Sequence, residues 1–121
     1  MDQYDMIGQL YERTKALPVG LAEQGTLLAA LPDLRGRSVL DVGTGTGFYP
    51  RIYKRLGATR VVGVDASTEM ITYARRVEER EPLGLRFEVH DGGVLPRLGE
   101  FDVVTSVWLL GYAEGQPALD Q

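Results

Sequence analysis

Three glycines at alternate positions, Gly43, Gly45 and Gly47, form the part of the sequence best suited to ligand chemistry. They follow a short apolar segment, residues 38–42, and precede a segment with a helical pattern. Glycine lets the backbone turn sharply and come within contact distance of a ligand, and the N-terminus of the following helix offers N–H groups to an anion. A tight strand-to-helix turn would also use glycine, but three glycines at this spacing favour a ligand-binding loop.

The spacing of the glycines distinguishes between classes of ligand. A dinucleotide-binding loop has the pattern Gly-x-Gly-x-x-Gly, whose last glycine falls on Phe48 or Pro50 in this sequence. A phosphate-binding P-loop requires a lysine after its last glycine, and the segment has none. The pattern that remains is Asp-x-Gly-x-Gly-x-Gly, which begins at Asp41. Because a charge inside a buried strand is costly, we expect Asp41 to orient the loop or a ligand rather than only to cap a turn.

Two further acidic residues follow predicted strands. Asp65 ends the apolar segment 61–64 and therefore lies at the carboxyl end of a predicted strand, where open α/β sheets bind ligands. A carboxylate can accept hydrogen bonds from two adjacent hydroxyls. The alternative role of Asp65 is to cap the next helix, but Ser67 is a good N-cap for that helix. Asp91 follows the third predicted strand, although Asp-Gly is also a common turn sequence.

The elements that position these residues alternate along the chain. Helices are predicted over residues 2–16 and 21–31, separated by a break at Pro18 and Gly20. Strands are predicted at 38–42, 61–65, 85–89 and 101–110, helices at 48–56 and from Ser67 to about Pro82, and a loop at 91–100. Strands that alternate with helices predict a parallel sheet with right-handed crossovers.

These motifs together resemble those of the class I S-adenosylmethionine-dependent methyltransferases. Residues 41–47 resemble the family's first motif, 61–65 its second-strand motif, 89–96 the loop after its third strand, and 101–104 its fourth-strand motif. The resemblance covers about residues 34–112, and four motifs in the family's order are more specific than any one of them. It implies an α/β fold: a Rossmann-like parallel sheet of strand order 3-2-1-4, with helices on both faces and an N-terminal helical lid.

The resemblance also implies a cofactor, a reaction and a division of the chain. Residues 1–32 form the lid, and residues 33–121 form the S-adenosylmethionine-binding domain. The expected reaction transfers the cofactor's methyl group to a small molecule, and no catalytic residue is assigned because binding and orientation suffice. His90 is expected to be structural, and no metal ligands are visible. The expected cofactor-binding residues are Asp41, Gly43, Thr44, Gly45, Gly47, Asp65, Ala66, Met70, Asp91, Gly92, Val107 and Tyr11.

Composition excludes other classes of protein. The chain has 121 residues, a net charge of -4, no cysteine and one histidine. The lack of cysteine excludes disulfides and thiolate metal sites, and the negative charge argues against a nucleic-acid partner. No apolar run approaches the ~20 residues of a membrane span, and the N-terminus does not resemble a signal peptide. We therefore expect a cytoplasmic protein without a membrane partner.

The apolar fourth strand leaves alternatives open, because an exposed apolar edge promotes aggregation. The family's full sheet has the order 3-2-1-4-5-7-6, and this sequence predicts only the first four strands. We therefore expect that the chain is a fragment, or that a homo-oligomer, a partner or the N-terminal helices cover this edge. The alternative function is a non-catalytic S-adenosylmethionine-binding fragment or regulatory subunit. Residues 107–113 also resemble toxoflavin-synthase-like methyltransferases, while the glycine spacing disfavours a nicotinamide dehydrogenase.

Overall fold

The computed structural model describes residues 3–90 and 100–106, without the side chains of residues 3–5, 7 and 11. The helices are α1 (Gln3–Arg13), α2 (Pro18–Ala30), α3 (Phe48–Arg55) and α4 (Thr68–Arg80), and a short 3-10 helix, Thr14–Ala16, joins α1 to α2. The strands are β1 (Ser38–Val42), β2 (Arg60–Asp65), β3 (Arg86–Val89) and β4 (Val103–Thr105). Within the described residues, no helix combines the length and the apolar character that a membrane span requires.

The strands form one parallel sheet in the order β3-β2-β1-β4, which confirms the predicted topology. At the carboxyl end of β1, Asp41 is paired with Gly63 of β2 and with Thr105 of β4. Because the strands are parallel, their carboxyl ends meet at one edge of the sheet, which is where open α/β sheets bind ligands. This edge brings together the glycine loop, Asp65 and the end of β4.

The main core lies between the sheet and helices α3 and α4. Val39 of β1 and Val61 of β2 pack in one cluster with Tyr53 of α3 and Ile71 of α4. Side chains alternate between the two faces of a sheet along each strand. On the opposite face of the sheet, a separate buried cluster contains Leu40 of β1 and Val62 and Val64 of β2.

Helix α2 begins earlier than the sequence predicts. Pro18 lies in its first turn, where the missing N–H costs no helical hydrogen bond. Gly20 lies inside α2, and a Cβ at this position would come 2.5 Å from the carbonyl oxygen of Thr14. The predicted break between the two helices is present, but it lies at Leu17, whose backbone is extended. Pro18 starts α2 instead of ending α1, and Gly20 allows α2 to pack closely on the preceding turn.

The described part of β4 is shorter than the predicted strand at 101–110. Phe101 and Asp102 precede the strand, and residues 107–110 lie outside the described residues. The backbone N–H of Ser38 donates to Oδ2 of Asp102 at 2.9 Å, and the backbone N–H of Asp102 donates to the hydroxyl of Ser38 at 2.9 Å. This reciprocal pair fixes the start of β4 beside the start of β1.

Candidate functional site

The glycine loop, residues 43–47, connects β1 to α3 at the carboxyl edge of the sheet. Its glycines have φ angles of 72°, 57° and 81°, in a region that residues with a Cβ rarely adopt. The backbone N–H groups of Gly43 and Thr44 both donate to the carbonyl oxygen of Val64 at 2.9 Å. The loop is thus bound to the end of β2, and its last residue, Gly47, is the N-cap of α3.

Close packing also requires glycine at two positions, one at the end of the loop and one in the strand beneath it. A Cβ on Gly47 would lie 2.7 Å from the Phe87 ring of β3 and 3.2 Å from the Cβ of Ala74 in α4. A Cβ on Gly63 of β2 would lie 2.6 Å from the hydroxyl oxygen of Thr44. The neighbouring strands and α4 therefore fix the position of the loop.

Asp41 is buried between the glycine loop and β4. Its Oδ2 accepts a hydrogen bond from the hydroxyl of Thr44, and its Oδ1 accepts one from the hydroxyl of Thr105, both at 2.7 Å. Burial raises the pKa of Asp41 to about 6, against the opposing effect of the two hydroxyls. The negative charge of Asp65 acts in the same direction as burial, and the positive charge of Lys15 opposes it. Asp41 thus joins three elements of the site through one carboxyl group.

Asp65, the last residue of β2, joins the glycine loop to the start of α4. Its Oδ2 accepts a hydrogen bond from the backbone N–H of Gly45 at 2.8 Å, and its Oδ1 accepts one from the backbone N–H of Ser67 at 2.9 Å. Ser67 caps α4, since its hydroxyl accepts a hydrogen bond from the N–H of Met70 at 3.2 Å. An ionised carboxylate has about four acceptor positions, so Asp65 can hold the loop and still accept hydrogen bonds from hydroxyl groups of a ligand.

Three residues that the sequence analysis did not identify form a hydrogen-bonded cluster at the end of the loop: Glu12, Thr46 and Arg51. Arg51 of α3 donates from Nη1 to the carbonyl oxygen of Thr46 at 3.0 Å and from Nη2 to Oε2 of Glu12 in α1 at 2.5 Å. The hydroxyl of Thr46 donates to the same oxygen of Glu12. Glu12 is 34 residues from Thr46 and 39 from Arg51 in sequence, so no local pattern links them.

The N-terminal segment also contacts α3 through a second polar group. The hydroxyl of Tyr49 donates to Oε1 of Glu23 in α2 at 2.7 Å, and Nζ of Lys15 donates to the same oxygen at 3.2 Å. Nζ of Lys15 lies 5.9 Å from the ring centre of Phe48 and 5.1 Å from that of Tyr49, which is cation–π distance. Part of the predicted lid therefore lies against the helix that follows the glycine loop.

The structure brings half of the predicted site residues together at the carboxyl edge of the sheet: Asp41, Gly43, Thr44, Gly45, Gly47 and Asp65. Ala66 is exposed just before α4, and Met70 is partly buried in its first turn. Asp91, Gly92 and Val107 lie outside the described residues, as does the side chain of Tyr11. The backbone N–H of His90 donates to the carbonyl oxygen of Asp65 at 2.9 Å, so the backbone of His90 is tied to the end of β2.

Comparison with known proteins gives a family match across most of the sheet. Residues 39–120 match the family model described as a methyltransferase domain. An uncharacterized protein of Haemophilus influenzae is 34% identical over 123 residues, which cover 95% of this chain and 48% of that protein. The chain thus spans about half the length of this relative.

Two relatives with named activities share a shorter region. A ubiquinone biosynthesis O-methyltransferase of Coxiella burnetii is 35% identical over 78 residues, which cover 64% of this chain and 33% of that protein. A tRNA U34 carboxymethyltransferase of Idiomarina loihiensis is 34% identical over 84 residues, which cover 66% of this chain and 26% of that protein. One name refers to ubiquinone biosynthesis and the other to a tRNA, so the two names do not indicate a single kind of acceptor.

A solved structure shares the same architecture. The S-adenosylmethionine dependent methyltransferase of Mesorhizobium loti matches with a TM-score of 0.63 and 33% identity, over 70% of this chain and 38% of that one. The match over residues 39–120 includes all of β1 except its first residue, the glycine loop and Asp65, on which the resemblance in sequence depends. Sequence and fold agree, and the chain therefore belongs to the family of S-adenosylmethionine-dependent methyltransferases.

Proposed function

We propose that this chain binds S-adenosylmethionine in the crevice outside the carboxyl ends of β1 and β2 and transfers its methyl group to a small molecule. The observation that carries the proposal is the position of Asp65, whose carboxylate lies 2.8 Å from the backbone nitrogen of Gly45. A carboxylate with spare acceptor positions and a glycine loop thus share the edge where open α/β sheets bind ligands. This pairing fits a ligand that carries both a ribose and an amino-acid part.

The positions of the described residues suggest their roles. Asp65 accepts the two ribose hydroxyls, and the backbone of the glycine loop lies along the methionine part. Asp41 holds the loop through Thr44, while Ala66 and Met70 lie near the ribose and the adenine. Further contacts are proposed for residues whose positions or side chains lie outside the described part of the chain: Asp91, Gly92, Val107 and Tyr11.

The proposed chemistry needs little from the protein beyond binding and orientation. When bound, S-adenosylmethionine supplies a methyl group that is activated by its positively charged sulfur. Asp41 and Asp65 hold the loop through hydrogen bonds of 2.7 Å from Thr44 and 2.8 Å from Gly45, so the loop is ordered before the ligand arrives. Such preorganisation lowers the entropic cost of binding. A general base is required only when the acceptor atom arrives protonated, and we assign none.

The small-molecule acceptor is supported by charge rather than by geometry. A net charge of -4 does not favour a polyanionic acceptor such as tRNA. The relatives include proteins named for ubiquinone biosynthesis and for tRNA, so their names do not decide between the two. The narrower toxoflavin-synthase-like assignment, the lid function of residues 1–32 and the cytoplasmic location stay predictions.

Calorimetric titration with S-adenosylhomocysteine tests the cofactor site, with NADH as the competing ligand. We expect micromolar binding of S-adenosylhomocysteine and none of NADH. Asp65→Asn should weaken binding at least about tenfold, which corresponds to ~1.4 kcal/mol. The matched control is Asp33→Asn, because Asp33 is exposed and bonded to Arg35 in the turn before β1. Equal affinities of wild type and Asp65→Asn would contradict the assigned role.

The acceptor needs a separate assay with a methyl-labelled cofactor. Incubation with pools of small metabolites, with tRNA and with protein should give label in the small-molecule pool alone. Label in tRNA would overturn the proposed acceptor class but not the cofactor site. Binding of S-adenosylhomocysteine without transfer to any pool would support the alternative, a non-catalytic cofactor-binding subunit.

A further inference from the structure

We propose that Glu12 is a positioning residue for the glycine loop, through which helix α1 controls the affinity for the cofactor. The inference rests on the proposed function, since it assumes that this loop binds the cofactor. It goes beyond that function because Glu12 belongs to none of the motifs and lies on the N-terminal segment, before the residues of the family match.

Thr46 lies between two glycines of the loop. Gly45 and Gly47 on either side of it have φ angles of 57° and 81°. Glycine adopts many conformations, so these flanking residues do not fix Thr46 by themselves. Instead, the carbonyl oxygen of Thr46 accepts a hydrogen bond from Arg51 at 3.0 Å, and its hydroxyl donates to Glu12. Tertiary contacts thus fix the conformation of the loop at this residue.

The charges of Glu12 and Arg51 make these contacts interdependent. Nη2 of Arg51 lies 2.5 Å from Oε2 of Glu12, and the two side chains are 10% and 21% exposed. Removing one partner of a buried ion pair leaves a charge without compensation, which is strongly unfavourable. If α1 moves away, Arg51 loses its counter-charge and Thr46 loses the acceptor of its hydroxyl. The docking of α1 and the geometry of the loop are therefore coupled.

The position of Glu12 is itself set by the packing of α1 on α4. Gly8 lies so close to Tyr73 that a Cβ would come 2.2 Å from the ring. This contact lies one turn of α1 before Glu12, on the same side of the helix. Glu12 therefore reaches Thr46 from a docked helix rather than from a free side chain on a loop.

The first test compares Glu12→Gln with Glu79→Gln, which makes the same change at an exposed position on α4. Affinity for S-adenosylhomocysteine and the thermal unfolding of the ligand-free protein are measured for each. Glu12→Gln should raise Kd about tenfold or more, equivalent to ~1.4 kcal/mol, and Glu79→Gln should leave Kd unchanged. A lower unfolding temperature with unchanged Kd in Glu12→Gln would mean that Glu12 only stabilises the fold, and would overturn the inference.

The second test uses Thr46, where a matched pair of substitutions is available. Thr46→Val removes the hydroxyl at nearly constant size and should raise Kd, while Thr46→Ser keeps the hydroxyl and should retain the affinity. If Thr46 acts through Glu12, adding Thr46→Val to Glu12→Gln should raise Kd little further. Independent effects that multiply in the double variant would contradict the coupling.

The proposed function and this inference fail in different ways. No binding of S-adenosylhomocysteine by the folded wild-type protein would refute both. Tight binding by wild type together with equal binding by Glu12→Gln would refute only the role of Glu12. Arg51→Lys gives a further check, because lysine keeps the charge but lacks the fork that contacts Thr46 and Glu12 together. We expect it to weaken binding, and unchanged affinity would again contradict the inference.

Discussion

The buried carboxyl group of Asp41 predicts an unusual dependence of stability on pH. Burial raises its pKa from 3.8 to about 6 in the folded protein. Between these values the folded protein keeps a proton on Asp41 that the unfolded chain has lost. The contribution of this group to stability is therefore complete below about pH 4 and is lost as the pH rises through about 6. Most paired carboxylates have lowered pKa values and behave in the opposite way.

The magnitude follows from the size of the shift. The difference between 3.8 and about 6 is about 2 pKa units, which corresponds to about 3 kcal/mol. Asp41→Asn removes the charge, and the amide can still accept from one threonine hydroxyl and donate to the oxygen of the other. We therefore expect Asp41→Asn to be more stable than wild type at pH 7, by up to about 3 kcal/mol. Near pH 4 the two proteins should be about equally stable.

Urea unfolding from about pH 4 to about pH 8 measures this difference, because other carboxyl groups titrate equally in both proteins. Asp33→Asn is the control: Arg35 lowers the pKa of Asp33 to about 2, so its contribution is complete above about pH 4 and is lost only as the pH falls towards about 2. The difference in stability between Asp33→Asn and wild type should therefore stay constant over the measured range. If Asp41→Asn is less stable than wild type at pH 7 by an amount independent of pH, Asp41 is a stabilising anion and the reasoning is refuted.

Four further substitutions, measured by urea unfolding, test the packing around the site and the cap of α4. Gly8→Ala should destabilise by about 1–3 kcal/mol because its Cβ would overlap Tyr73. Gly25→Ala is the control, because a Cβ on Gly25 in α2 would meet no atom within 4 Å, and it should stabilise the protein by about 0.5–1 kcal/mol. Equal changes in stability for Gly8→Ala and Gly25→Ala would contradict the packing of Gly8 on Tyr73. Gly63→Ala should destabilise by about 1–3 kcal/mol and weaken S-adenosylhomocysteine binding, since it pushes on the glycine loop. Ser67→Ala removes the N-cap of α4 and should cost about 1 kcal/mol, and no change in the unfolding midpoint would contradict the cap.

The contact between α1 and α4 was not accessible to sequence reasoning, although the helices themselves were. The pattern of apolar residues predicts a helix at the N-terminus, and the structure has one at Gln3–Arg13. It does not reveal that Gly8 packs on Tyr73, because the two are far apart in sequence. The role of Pro18 is also not evident from the sequence, because proline can either end a helix or begin one. The structure shows that Pro18 begins α2 and that Gly20, inside α2, packs closely on Thr14.

The sequence by itself determined the features that depend on neighbouring residues. These are the alternation of strands and helices, the glycine loop with its positive φ angles, the cap of Ser67 on α4 and the placing of Asp65 at a strand end. The alternation follows from the spacing of apolar residues along the chain. The other features follow from local properties of single residues, such as the conformational freedom of glycine and the short hydroxyl side chain of serine. The alternation of strands and helices predicts a parallel sheet, whereas the strand order 3-2-1-4 was implied by the resemblance to the methyltransferase family.

Only the tertiary structure decided which distant side chains complete the site. Thr105 reaches Asp41 from 64 residues away because β4 pairs with β1 in one particular register. Glu12 meets Thr46 and Arg51 because α1 docks on α4 at the end of the loop. Neither residue type is distinctive, since threonine and glutamate are common on strands and helices. Their roles arise from strand register and helix packing, which are set by the burial of the whole core rather than by any local pattern.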